Sequence, residues 1–194
     1  MYSLIKTPLF TTKEFFSLSK EEVKEYFKWF ISIKNERLQI LEKSVQEIYP
    51  EWKLDYTKNS LVDLYLWFKT KVAYRKMTDW EKMEIKKQIS QTPLLTDVIS
   101  LPELTLSDEA VSICFDVGVY LGDTLIHQNS EIKWVTKLNS AKYIYYGQPL
   151  IAKSMSKVPL NPRAAIEGIA NRILDKDSEE FTFLKLFILT IERL

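Results

Sequence analysis

The sequence is poor in the residues on which metal, nucleotide and nucleophilic sites usually depend. Its 194 residues include one cysteine, one histidine and four glycines. The lone Cys114 excludes an internal disulfide and fits a reducing compartment. The lone His127 excludes a zinc site with several histidines, and the four glycines form no Gly-rich loop for a phosphate group. We therefore expect no cofactor and no metal site.

The amino-terminal segment also lacks the features of a membrane or export signal. MYSLIKTPLF contains neither an apolar run of about 18 residues nor the layout of a signal peptide. We expect a cytoplasmic protein without membrane association. Hydrophobic residues make up 46% of the chain and aromatic residues 13%, which supports a core that needs no disulfide or metal. The length predicts one domain spanning residues 1–194.

The first long helix is predicted from a capping box and helical spacing. Ser19 and Glu22 stand at the positions of a capping box, and apolar residues follow at helical intervals up to Pro50. Lys34 interrupts this apolar stripe. The pattern therefore fits either one long helix or two helices joined near Asn35.

Two further helices are predicted before residue 91. Ser60 is the expected cap of the second, and Thr78 with Glu81 forms a capping box that opens a third helix ending near Ile89. Residues 91–106 contain two prolines and are interpreted as a connection.

Residues 108–126 are predicted to form a fourth helix capped by Ser107. The competing interpretation is a strand over 111–121 followed by a hairpin turn at Gly122. Helix is favoured because polar residues recur every three or four positions. These residues are Glu109, Ser112, Asp116, Tyr120, Asp123 and His127. We expect this polar stripe to face solvent.

A hairpin and two helices are predicted to complete the chain. Segments 131–137 and 142–153 are rich in β-branched and aromatic residues, which predicts two antiparallel strands, with Gly147 as a bulge or kink. Asn161, followed by proline, opens a helix. Residues 178–192 are apolar on almost every side, which indicates a buried helix or an interface.

The predicted fold class is α+β: a mainly α-helical single domain with a small antiparallel β-hairpin between the C-terminal helices. A helical layer from residues 1–90 is expected to pack on a helix–hairpin–helix–helix unit from residues 107–194.

The net charge of +1 hides two blocks of opposite sign. No basic residue lies between Lys87 and Lys133, and seven acids do: Asp97, Glu103, Asp108, Glu109, Asp116, Asp123 and Glu131. No acid lies between Glu131 and Glu167, and six basic residues do: Lys133, Lys137, Lys142, Lys153, Lys157 and Arg163. Such blocks either neutralise each other or steer a partner of opposite charge, and both interpretations stay open.

Two candidates for catalysis lie on the fourth helix. Asp116, Asp123 and His127 share a face but span about 16 Å of helix axis, so only Asp123 and His127 could share an ion or a proton. Cys114 lies about 20 Å from the histidine along the helix and has apolar neighbours, so we expect an inert, buried thiol.

The hairpin is the strongest candidate for a binding surface. Tyrosines and tryptophan are favoured at protein interfaces, and lysines beside them add charge. The predicted contact residues are Trp134, Lys137, Lys142, Tyr143, Tyr145 and Tyr146, followed by Asp116 and Asp123 on the neighbouring helix. Two other interpretations remain: aromatic residues that enter the core, and stacking platforms for single-stranded nucleic acid.

Residues 115–163 carry short motifs in a recognisable order. They are FDVGVYLGDTLI, Trp134, GQPLI and LNPR. This stretch, about a quarter of the chain, resembles a pattern in small uncharacterised bacterial proteins, some of which are similar to immunity or accessory proteins encoded beside secreted toxins. The resemblance implies a helix–hairpin–helix arrangement and a bacterial source, and it implies no catalytic residues.

Together these observations predict a non-catalytic protein that binds another protein, in its sharpest form an immunity or inhibitor protein that binds a toxin. The alternatives are a nucleic-acid-associated factor that uses the basic hairpin, and a hydrolase built on Asp123 and His127. Residues 181–191 are apolar enough to join copies of the chain in an oligomer.

Overall fold

A computed structural model describes residues 1–8, 15–90, 101–138, 140, 143–153, 158–174 and 182–193, without the side chains of 88–90 and 174. The described helices are α1 (Lys20–Gln46), α2 (Lys58–Lys71), α3 (Asp79–Ser90), α4 (Asp108–Gln128), α5 (Pro162–Leu174) and α6 (Phe183–Arg193). The strands are β1 (Tyr74–Lys76), β2 (Leu104–Leu106), β3 (Ile132–Val135) and β4 (Leu150–Lys153), and a short 3-10 helix spans Phe15–Ser17. The predicted α+β class, mainly helical with a small hairpin before the last two helices, is confirmed.

Helix α4 lies at the centre of the fold. Its first turn is capped by Ser107, whose hydroxyl accepts the N–H of Ala110 at 3.2 Å, so the helix prediction is confirmed and the alternative strand is wrong. Every residue from Ser112 to Leu125 is buried, as expected for a helix with apolar residues on most sides. Helices α1, α2, α5 and α6 contact it, and so do strands β2 and β3.

Helix α1 runs without a break through Asn35. The capping box at its start is present: the Glu22 N–H donates to Ser19 at 3.1 Å, and the Ser19 N–H donates to Glu22 at 2.8 Å. Of the two interpretations left open by Lys34, the single helix is confirmed. Lys34 interrupts the apolar stripe because it has a polar partner on α4, described below.

Helix α2 begins one turn earlier than predicted. Thr57 is its cap, and its hydroxyl accepts the N–H of Ser60 at 3.3 Å. The prediction that Ser60 caps the helix is therefore wrong. Ser60 is buried inside the first turn, where its hydroxyl meets that of Tyr120 on α4 at 2.6 Å.

Helix α3 is held by a small sheet that sequence analysis missed. Strands β1 and β2 pair antiparallel over three residues, too few for a period-two pattern to be visible. The predicted capping box is present, since the Glu81 N–H donates to the Thr78 hydroxyl at 3.2 Å and the Thr78 N–H donates to Glu81 at 2.8 Å. Arg75 on β1 adds two hydrogen bonds to the same carboxylate, at 2.9 and 2.7 Å.

We expect the Glu81 carboxyl to titrate with a pKa of about 2, below its ordinary value of 4.5, because Arg75 and Thr78 donate to its ionised form. A lowered carboxyl pKa stabilises the fold above about pH 4.5, and this contribution is lost as the pH falls towards 2. An NMR titration of the side-chain carboxyl carbon measures it. Arg75→Gln should raise this pKa, and an unchanged value would contradict the assignment.

The hairpin of β3 and β4 has shorter strands than predicted. Ile132 pairs with Lys153 and Val135 with Leu150, so β4 starts at Leu150 and the connection is 136–149 rather than four polar residues. The difference arises at Gly147, which has a φ of +74° and ends a turn that begins at Tyr143. That turn prevents 143–149 from continuing the strand.

The last two helices follow their predicted positions. Asn161 caps α5, since its side-chain oxygen accepts the N–H of Ala164 at 3.1 Å. Helix α6 packs on α2 and α4 through a face that buries Phe183 and Phe187, whereas Ile188 is exposed. The prediction of a buried final helix is confirmed for that face. Residues 178–181, the predicted start of the helix, lie outside the described residues. Oligomerisation through residues 181–191 stays a prediction.

Candidate functional site

The middle of the polar stripe of α4 is buried, so the prediction that it faces solvent is wrong for Ser112, Asp116, Tyr120 and Asp123, whereas His127 at its end is exposed. Asp116 is 0% exposed and Asp123 is nearly as buried. The physical reason is that α1 turns two basic side chains, Lys34 and Arg37, towards this stripe, so each carboxylate leaves water only in the company of a cation. Among the described residues the acidic block is thus neutralised from several elements: α1 pairs with Asp116 and Asp123, Arg75 on β1 with Asp108, and Lys82 on α3 with Glu103. Within the described part of the hairpin, Glu131 and Lys153 approach each other at 3.8 Å.

Asp116 lies in a closed polar cluster beneath the amino-terminal segment. Arg37 donates from Nε and Nη2 to its two oxygens at 2.8 and 2.7 Å, and the Tyr2 hydroxyl donates at 2.5 Å. Arg37 also donates to the carbonyl of Ser3 at 2.9 Å. Burial raises the pKa of Asp116 to about 6 and outweighs the opposing effect of Arg37. The cluster fastens residues 1–5 to the core.

Asp123 belongs to a second cluster, at the hairpin. Its Oδ1 atom accepts from Lys34 Nζ at 2.6 Å and from the indole nitrogen of Trp134 at 2.7 Å. Gly122 makes room for this indole. Asp123 therefore anchors β3 to α4 and α1, and neither it nor Asp116 contributes to a partner-facing surface.

His127 and Tyr120 have partners of their own. The Tyr120 hydroxyl accepts the N–H of Tyr56 at 3.1 Å, and the Tyr56 ring stacks on the exposed His127 with centroids 4.0 Å apart. Asp123 accepts from α1 and β3, not from His127. Among the described residues no group of three histidine, cysteine or acidic side chains is arranged to hold a metal ion.

Cys114 is buried in α4, and burial raises the pKa of its thiol. We expect a thiol reagent such as Ellman's reagent to leave native Cys114 unmodified at pH 8 and to react within minutes in denaturant, because only the thiolate is nucleophilic. The rate of labelling in buffer should follow unfolding. Rapid native labelling would contradict the buried position.

The predicted hairpin residues divide into two groups. Trp134 and Tyr146 turn inwards. The Trp134 ring packs edge-on against the Phe30 ring, with the ring centroids 4.8 Å apart, and Tyr146 is buried with Leu18 and Val23. These are the core positions that the alternative interpretation gave them.

The second group forms what we call the tyrosine turn, residues Lys137, Tyr143, Ile144 and Tyr145. Lys137 and both tyrosines are half-buried, and Tyr143 packs against the cluster that buries Tyr146. The two tyrosine rings meet edge-on at 6.0 Å, and the Lys137 ammonium lies 5.8 Å from the centre of the Tyr143 ring. Ile144 between them is 77% exposed. Lys142, also predicted to make contacts, lies outside the described residues.

The tyrosine turn is fixed on both sides. The Gly147 N–H donates to the carbonyl of Lys137 at 3.1 Å, and the Tyr146 N–H donates to the carbonyl of Tyr143 at 2.8 Å. A Cβ on Gly147 would lie 2.8 Å from Val23. Ile144 is therefore presented by a backbone that is hydrogen-bonded and anchored through Tyr146.

A narrow cleft extends to Gln148, whose N–H donates to the carbonyl of Tyr145 in the tyrosine turn at 3.2 Å. Five aromatic rings line it, those of Phe15, Tyr26, Phe30, Phe115 and Trp134. Gly118 also lines it, and Gln148 and Arg163 are among its polar lining residues. All four motifs noted between 115 and 163 contribute a residue here, so segments far apart in sequence meet at one place.

The partners of the carboxylates and the exposure of Ile144 were not predicted from the sequence. A signal for the first was present: Lys34 and Arg37 lie three residues apart on an otherwise apolar helix face. Such placement indicates a buried polar partner. No signal distinguishes Ile144 from its neighbours, because its exposure depends on a turn that the strand-like composition concealed.

Among the described helices, α4 alone is long and apolar enough to cross a membrane, and 83% of that stretch is buried inside the protein, the position of a core helix. Comparison with protein-family models, curated proteins and solved structures found no match.

Proposed function

We propose that this chain is a non-catalytic binding protein that uses the tyrosine turn to contact another protein. The observation that carries the proposal is Ile144, a large apolar side chain that is 77% exposed on an anchored turn between two tyrosines. Isolated exposed apolar residues are common, but one framed by aromatic rings and a cation has the composition of an interface centre.

The burial of the carboxylates supports the same proposal. Asp116 and Asp123 each accept hydrogen bonds from basic and aromatic partners, which is a structural role. An immunity or inhibitor protein is the sharpest form of the proposal, supported by the resemblance of residues 115–163.

The test compares two apolar-to-acidic changes. Ile144→Asp alters the tyrosine turn, and Val62→Asp changes a half-exposed position of α2 in the same way. A protein retained from a bacterial extract by the unmodified chain is identified and purified, and its binding is measured by calorimetry. Ile144→Asp should weaken binding at least tenfold, since burying such a side chain contributes about 1.5–3 kcal/mol. Val62→Asp should bind normally.

Lys137→Glu should also weaken binding without lowering the melting temperature. Equal affinity of Ile144→Asp and the unmodified chain would contradict the proposal. Retention that disappears after nuclease treatment would favour the nucleic-acid alternative instead.

A further inference from the structure

The size of the aromatic cleft decides what can enter it. Its interior volume is about 20 Å³, and about 340 Å³ when the open mouth is included. The interior admits roughly one water-sized group, whereas pockets for small molecules enclose about 300–1,000 Å³. An aromatic ring is also too large, since a cavity that holds benzene measures about 150 Å³. One methyl group of a branched aliphatic side chain fits the interior, with the rest of that side chain in the mouth.

Polar groups at the cleft favour a hydrogen-bond acceptor beside the aliphatic side chain that enters it. The side-chain oxygen of Gln148, Oε1, accepts a hydrogen bond from Asn161 Nδ2 at 2.7 Å. The side-chain nitrogen of Gln148 has no hydrogen-bond partner among the described residues. Arg163 lies on the wall with its side chain 39% exposed, and its Nε donates to Glu167 at 2.7 Å. Both groups donate hydrogen bonds, and a carboxylate or carbonyl oxygen accepts them.

The surrounding charge points in the same direction. Residues 132–166 contain no carboxylate, Glu167 beside them is paired with Arg163, and Lys133 and Lys137 lie on either side of Trp134 in sequence. Lys133 is exposed on β3. Acidic segments are therefore attracted to this part of the surface and basic ones are repelled.

We propose that the cleft receives one branched aliphatic side chain from an acidic segment of the partner, and that Gln148 and Arg163 bind an oxygen of that segment. This inference rests on the proposed function, because Gln148 lines the cleft and its N–H donates to the carbonyl of Tyr145 in the tyrosine turn at 3.2 Å. Ile144 would contact the partner outside the cleft, and the partner's side chain would enter it.

The probe is isovalerate, which combines a branched aliphatic tip with a carboxylate. Two-dimensional NMR follows the methyl groups of Val119, a residue of the cleft wall, and the indole N–H of Trp134. Isovalerate should shift both signals in a saturable way. Isopentanol, with the same tip and no charge, should bind more weakly, and benzoate should not bind.

Two variants locate the binding. Val119→Ile adds a methylene where the interior has space for one, so it should abolish the isovalerate shifts without lowering the melting temperature. Arg163→Gln should weaken isovalerate about threefold, as expected for an exposed charge pair, and leave isopentanol unchanged.

Absence of a saturable shift, or full binding by Val119→Ile, would overturn the inference. If isovalerate fails to bind while Ile144→Asp still weakens the partner, only the cleft assignment is wrong. If isovalerate binds as expected while Ile144→Asp has no effect, the proposed function is wrong.

Discussion

Replacing Arg37 with methionine should lower the free energy of unfolding by about 3–5 kcal/mol. The change removes the three hydrogen bonds that Arg37 donates to Asp116 and Ser3, and it leaves a carboxylate that is 0% exposed without a counter-ion. Breaking one partner of a buried ion pair costs more than the pair contributes, because the remaining charge stays desolvated. Urea denaturation at pH 7 measures the loss.

The size of this loss should depend on pH. Arg37 lowers the pKa of Asp116, whereas burial raises it, so removing Arg37 raises that pKa further above its ordinary value. A carboxyl group whose pKa is raised by folding destabilises the fold as the pH rises through that value. The Arg37→Met variant should therefore lose more stability at pH 8 than at pH 5, where Asp116 can take up a proton.

Two further variants separate the ion pair from simple truncation. Arg37→Met combined with Asp116→Asn removes both charges and should be more stable than Arg37→Met alone. Lys28→Met changes an exposed basic residue on the same helix and should alter stability by less than about 0.5 kcal/mol. A loss below about 1 kcal/mol in Arg37→Met at pH 7 would contradict the buried pair.

The elements that sequence analysis predicted well are those with local signals. Ser19, Thr78, Ser107 and Asn161 each act through hydrogen bonds within the next three residues, so the start of each helix can be inferred from a few adjacent positions. The same locality explains an error: Ser60 is as good a cap as Thr57, and only its buried bond to Tyr120 shows why it serves elsewhere.

The burial of the α4 stripe could not be inferred in this way. Arg37 and Asp116 are 79 residues apart in sequence, and nothing near Asp116 indicates that a cation will cover it. An isolated stripe of polar residues on a helix predicts a solvent-facing surface, and only tertiary packing reverses that inference. The candidate site also depends on tertiary packing: Ile144 is exposed because a turn replaces the predicted strand, and Trp134 is held inwards by its hydrogen bond to Asp123.

Replacing Gly122 with alanine should destabilise the protein by about 2 kcal/mol. A Cβ at this position would lie 2.6 Å from Cη2 of Trp134, closer still to its Cζ2, and 3.2 Å from Ile151. The indole cannot move aside freely, because its nitrogen donates to Asp123 and its ring packs against Phe30. Because the indole cannot move, the overpacking cost lies at the upper end of the usual range, about 3 kcal/mol, and exceeds the helix-propensity gain of about 1 kcal/mol.

Gly168→Ala is the matched control for this prediction. Gly168 lies inside α5, and a Cβ there would have no neighbour within 4 Å, so only the propensity term remains and stability should rise by about 0.5–1 kcal/mol. Opposite signs for the same substitution can arise only from the neighbours of each glycine. In a chain that carries Trp134→Phe, the smaller ring frees space and Gly122→Ala should cost less. If Gly122→Ala instead stabilises the protein as Gly168→Ala does, the close packing of Trp134 on α4, on which the cleft depends, is wrong.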